Sequence, residues 1–209
     1  MSKRKTNVST KTLEMALTAI LSALILIFTF LKIGFIPIGP LAFTINILPV
    51  AIGSVLLGWK VGLILGGIFG VASFLTCFGM DVLGTTLFGV NPYFCAVMCI
   101  VPRLICGFLP AFIYKALSSK EKLNKISVPV GCASAALLNT ILFLSAMWLF
   151  YGNNFRTDPS ILGTTTSFKS FLVIMTGNSC INAIVEIAVC LVAGTAVVKA
   201  LQSVLKKTN

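Results

Sequence analysis

Residues 93–115 read YFCAVMCIVPRLICGFLPAFIYK, an apolar run in which Arg103 is the one charge before the closing Lys115. A helix rises about 1.5 Å per residue, so about 20 residues cross a hydrocarbon core about 30 Å thick. This run is long enough, and its neighbours repeat the pattern. Further apolar runs occupy 12–32, 42–57, 61–78, 128–151 and 168–199. Between them lie the breakers: GFIPIGP at 34–40, a tight turn at Gly58-Trp59-Lys60, a Gly/Thr-rich loop at 79–92, a basic stretch at 120–125 and a polar loop at 152–167. Pro49 is expected to kink the second run. The first run has no small-residue cleavage site and is followed by more apolar runs, so it reads as a retained span. The expectation is an all-α membrane protein of six transmembrane helices. It forms one domain over 1–209, with short tails at 1–11 and 200–209.

Composition points the same way. The chain is 57% apolar and 10% charged, against about 45–50% and about 25% for soluble domains, which excludes an ordinary water-soluble fold. Its 16 Lys+Arg outweigh 5 Asp+Glu. On so apolar a chain this excess reads as loop charge rather than nucleic-acid binding. With the N-terminus inside, 12 of the 16 basic residues fall on that side, Lys32, Arg156 and Lys169 fall outside, and Arg103 lies within a span. Both termini are therefore expected in the cytoplasm of a multi-pass protein of the cell membrane, with loops 34–40 and 79–92 facing outward.

The missing residue types narrow the chemistry. Without histidine there is no Ser-His-Asp triad and no histidine zinc ligand. No P-loop motif occurs, so any use of ATP needs a partner. Catalytic residues are not expected. The seven cysteines form no C-x-x-C pair; Cys95 and Cys99 are neighbours at i, i+4, but two thiols make a poor metal site. They read as small apolar residues, and no metal is expected.

Polar residues inside spans are few, and each costs free energy to bury. Arg103 lies about 15 Å below the outer end of its run, where an arginine costs about 2.5–3.5 kcal/mol on insertion scales. Its planar fork suits a ligand carboxylate. Pairing with Glu186, or satisfaction by backbone or water, are the alternatives. Asn139 and Asn178 reach a similar depth on the next two runs. Asn178, Asn182 and Glu186 share one helix face at i, i+4, i+8. Asparagines also glue helices together, but a convergence of Arg103, Asn139 and Asn178 at one level suggests a pocket for a small polar ligand. Phe74, Tyr93 and Trp148 are candidates to line its mouth, or serve as interfacial anchors. Two stripes of small residues, Ala16, Ala19 and Ala23 in the first run and Gly62, Gly66 and Gly70 in the third, allow close helix approach, within the chain or to another protein.

Six spans in about 200 residues, A-x-x-x-A at Ala19 and Ala23, and the sequences GFIPIGP, ILPVAIGSVLLGWKVG, GGIFGVASF and VPRLICG together resemble the substrate-binding S components of energy-coupling factor (ECF) vitamin transporters. The resemblance covers nearly the whole chain and is strongest to the pantothenate-specific S component. It departs at INILP, where Asn46 stands at the place expected for a histidine. The resemblance implies capture of pantothenate from outside, docking through Ala16, Ala19 and Ala23 on a transmembrane coupling (T) component, and toppling in the bilayer to release the vitamin inward. Two separate ATPases would consume the ATP, and this chain would bind no cofactor. Arg103 would take the carboxylate, Asn139, Asn178 and Asn182 the polar groups, and Phe74 the methyls. The competing readings are an S component for riboflavin or folate, a small membrane enzyme, and a stand-alone facilitator or scaffold. Riboflavin gives no reason for one buried arginine, and the five acids are too scattered for an enzyme.

Overall fold

The computed structural model describes residues 10–31, 36–38, 41–43, 45–157 and 183–208. Helix α1 spans Thr10–Phe30. Strands β1 (Ile36–Ile38) and β2 (Leu41–Phe43) then pair antiparallel, with Ile36 opposite Phe43 and Ile38 opposite Leu41. Helices follow at α2 (Ile47–Leu57), α3 (Trp59–Thr76), α4 (Val82–Val90), α5 (Pro92–Ser118) and α6 (Asn124–Thr157). The last helix, α7, begins at Ala183, contains a π-helical turn at Cys190–Gly194 and is α-helical again over Thr195–Thr208; its apolar span is Ala183–Ser203.

Among the described residues, five helices, α1, α3, α5, α6 and α7, are long and apolar enough to cross a membrane. The second expected span is shorter than its apolar run. Residues 42 and 43 belong to the hairpin, and α2 keeps 11 residues, about 16 Å. Pro49 therefore falls in the first turn of α2, where its missing N–H breaks no helical bond and no kink is required. Every residue from Pro49 to Val55 is buried, because α2 is packed by α1, α3, α5, α6 and α7. Gly58, at φ 92°, turns the chain directly from α2 into α3, as the sequence suggested.

The 79–92 loop is likewise partly helical. Asp81 caps α4 by accepting the Gly84 N–H at 2.7 Å, and Asn91 caps α5 by accepting from Tyr93 and Phe94. Pro92 occupies the first turn of α5, where a helix tolerates it. The buried Tyr151 of α6 donates to the carbonyls of Leu87 (3.1 Å) and Asn91 (2.9 Å), locking the α4–α5 junction onto α6.

The tightest packing is α3 against α5. A methyl group on Gly62 would strike the carbonyl oxygen of Gly107, and one on Gly66 that of Arg103; at Gly70 it would stand 3.0 Å from the Ile100 Cα. The glycine stripe is thus an internal helix contact rather than a surface for another protein, and it holds the backbone that carries Arg103. Two apolar clusters result. One joins α1, α2, α3, α5, α6 and α7 around Ile25, Val50, Leu65 and Cys132. The other joins the ends of α3 to α6 around Leu87, Cys99 and Tyr151.

Candidate functional site

Arg103 lies where these two clusters meet. It is buried on α5, its guanidinium carbon standing 5.6 Å from the Phe69 ring of α3 and 4.8 Å from the Phe143 ring of α6. Rings at such distances attract a cation through their quadrupoles. One Arg103 donor has a local use. Pro102 has no N–H, so the carbonyl of Met98, four residues back, loses its helical partner. The Nη1 of Arg103 fills that vacancy, donating to the Met98 oxygen at 3.0 Å. Backbone satisfaction, one of the alternatives weighed from sequence, therefore accounts for one of five donors.

The rest of the fork is not used up. Among the described residues, Nε is buried without a hydrogen-bond partner and Arg103 makes no ion pair. It is therefore not paired with Glu186, which is itself buried on α7. Asn139 stands one turn before Phe143 on α6, so the two share a face. Its Oδ1 is also buried and without a partner among the described residues. A buried donor and a buried acceptor left open on adjacent helices each carry a desolvation cost of about 1–3 kcal/mol. A polar ligand bridging this level would recover it.

The other expected residues are placed less uniformly. Phe74 is half-buried in a ring cluster with Phe78 and Phe88, at centroid distances of 5.4 and 6.0 Å. Tyr93 is 81% exposed in the first turn of α5, about 15 Å along the helix from Arg103. Trp148 is exposed on α6. Asn178 and Asn182 lie outside the described residues. An open cleft of about 600 Å³ sits elsewhere, lined by Tyr114, Lys125, Lys199 and Gln202, about 16 Å along α5 from Arg103. None of the expected site residues that are described lines it. Sequence reasoning missed Phe69, Phe143 and the Met98 carbonyl. The last was findable, since a proline always frees the carbonyl four residues before it.

Ala16, Ala19 and Ala23 are all exposed. The buried face of α1 carries Leu21, Ile25 and Thr29, and at 100° per residue the alanines point almost the opposite way. Thr29 accepts a hydrogen bond from the Nδ2 of Asn46 at 3.1 Å, so Asn46 fastens the start of α2 to α1.

A family model described as "ECF transporter, substrate-specific component" matches residues 13–194. The Pantothenic acid transporter PanT of Lactococcus lactis subsp. cremoris (strain MG1363) is 28% identical over 206 residues, covering 91% of this chain and 94% of that protein. With five long apolar helices, this is a multi-pass plasma-membrane protein of transport rather than an enzyme. The chain belongs to the family of substrate-specific components of ECF transporters.

Proposed function

We propose that this chain captures pantothenate from outside the cell and, after docking on a T component driven by two ATPases, releases it inward. The observation that carries the reading is the buried Arg103 with its Nε open, one helix away from the open Oδ1 of Asn139. Pantothenate offers a carboxylate for Arg103, hydroxyl and amide groups for Asn139, Asn178 and Asn182, and a gem-dimethyl group for apolar residues such as Phe74. Tyr93 stands at the mouth. The relative named for pantothenic acid transport supports this choice of vitamin.

The single domain over 1–209 crosses six times, with both termini cytoplasmic. The sixth crossing is made by α2 with its hairpin. A short helix and irregular backbone are tolerated at membrane depth when enclosed by protein, and α2 is enclosed. The exposed Ala16, Ala19 and Ala23 offer the T component a smooth strip. ATP is consumed by the partners, and this chain binds no cofactor.

Calorimetric titration of the purified chain with pantothenate, riboflavin, folate and biotin tests the substrate. Pantothenate is expected to bind tightly. Arg103→Ala should weaken it by at least about 100-fold, the loss of charge-assisted hydrogen bonds worth about 1.5–3 kcal/mol each. Tight riboflavin binding with pantothenate silent would overturn the assignment. Ala19→Trp should abolish uptake in cells while binding by the isolated chain stays intact; uptake that survives would remove the alanine strip from the docking surface.

A further inference from the structure

Outside the Arg103 site, Cys77, Cys95 and Cys99 bring their three sulfurs within 4.8 Å of one another, and Cys77 and Cys99 stand 3.8 Å apart. From sequence, Cys95 and Cys99 form a pair one turn apart. The third thiol arrives because α3 ends at Thr76, and the following turn lays Cys77 against α5. All three are buried and none is in a disulfide. Cysteines often fill a core as small apolar residues, but that role does not require three sulfurs to converge. Three sulfurs bound at about 2.3 Å to one ion stand roughly 3.8–4.0 Å from each other. The Cys77–Cys99 pair already has that spacing, and the wider separations need to close by less than about 1 Å.

Charge selects the ion. Three thiolates carry three negative charges, and an uncompensated charge is costly in an apolar core. A divalent ion leaves one. Arg103, four residues from Cys99, has its guanidinium drawn back to the Met98 carbonyl, at the cysteine level. While no ligand carboxylate occupies it, its positive charge offsets the one that remains, whereas a monovalent ion would leave two. Thiolate donors suit soft or borderline ions. We propose that Cys77, Cys95 and Cys99 form a three-thiolate site for a divalent ion of the zinc class. As three metal–sulfur bonds form, three thiols release three protons, and no oxidant or reductant is needed. The fourth position of a tetrahedral ion is left to water. The route in is short, because Cys77 opens the turn whose Phe78, Gly79 and Met80 are exposed.

The test uses the full, reduced chain in detergent, titrated with Cd2+ as a spectroscopic stand-in and followed by its thiolate charge-transfer absorption. One ion per chain is expected, displaced by Zn2+. Cys95→Ser should weaken binding by more than about 100-fold, beyond the 10- to 100-fold that loss of a mere supporting contact costs. Cys132→Ser, in the other cluster, should leave it unchanged. Should the Cys95 variant fail to fold, X-ray absorption on the wild-type Zn2+ complex decides: three sulfurs near 2.3 Å support the site, and two or fewer overturn it. Absence of stoichiometric binding, binding indifferent to Cys95→Ser, or a Cys77–Cys99 disulfide in a chain whose reduced form takes no ion would each overturn the proposal.

Discussion

The alanine stripe of α1 and the glycine stripe of α3 carry similar signals, small residues repeating on one helix face, yet they have opposite fates. Gly62, Gly66 and Gly70 are buried against α5, while Ala16, Ala19 and Ala23 are exposed. The difference lies in what faces them. Across from the glycines, α5 presents Gly107 and the carbonyl of Arg103, so two backbones meet with no side chain between. On α1 the contacts to α2 and α3 are made by Leu21, Ile25 and Thr29, and the alanines are left over on the far side. A small-residue stripe thus marks a surface for close approach without saying whether its partner is in the same chain. Large neighbours on α1, such as Met15 at 72% exposed and Ile20 at 58%, are ordinary for a helix facing lipid.

Substitutions that add volume separate the two stripes most sharply. Gly66→Leu should have the largest effect. Its side chain would enter the backbone of α5 at Arg103, and a rigid carbonyl cannot swing aside as a side chain can. Overpacking costs about 1–3 kcal/mol and occasionally more, and this is the tightest kind of contact. Thermal unfolding in detergent should show the variant strongly destabilised or absent from the folded fraction. On the proposed function, pantothenate binding should fall with it, since Arg103 rides on the displaced backbone. A Gly66→Leu chain as heat-stable as wild type would show that α3 and α5 do not cross here. Gly70→Ala should be milder. Its methyl would stand 3.0 Å from the Ile100 Cα, a squeeze that a few tenths of an ångström relieves. A loss of about 1 kcal/mol is expected, at the low end of overpacking, read as a modest fall in Tm.

The sequence made the long spans legible because an apolar run must be about 20 residues to cross, and α1, α3, α5 and α6 all contain such runs. It misjudges α2 because hydropathy does not distinguish an apolar hairpin from the helix that follows it, so residues 42 and 43 read as part of a span. The fold also holds α4 where Gly and Thr suggested a loop, although its ends were signalled by Asp81 and by Asn91-Pro92. Arg103 was legible as a buried cation, since nothing else in its run is charged. Its ring neighbours were not, because Phe69 and Phe143 reach it from two other helices. The third thiol was hidden for the same reason, as its position depends on where α3 stops.

The smallest effect expected is that of Ala23→Leu on stability, and it is the most informative about α1. Alanine and leucine are close in helix propensity, so the backbone should hardly register the change. The added side chain points away from Leu21, Ile25 and Thr29, into space that no described residue occupies. A surface change of this kind usually stays within about 0.5 kcal/mol, so Tm and pantothenate binding should match the wild type. Reconstitution with the T component and ATPases provides the contrast, because a leucine there removes the smooth surface that lets two helices approach closely. Assembly should weaken while the isolated chain is untouched. A fall in Tm would mean that Ala23 packs within the chain. Unchanged stability and unchanged assembly together would mean that the strip meets only lipid, and that α1 docks by another face.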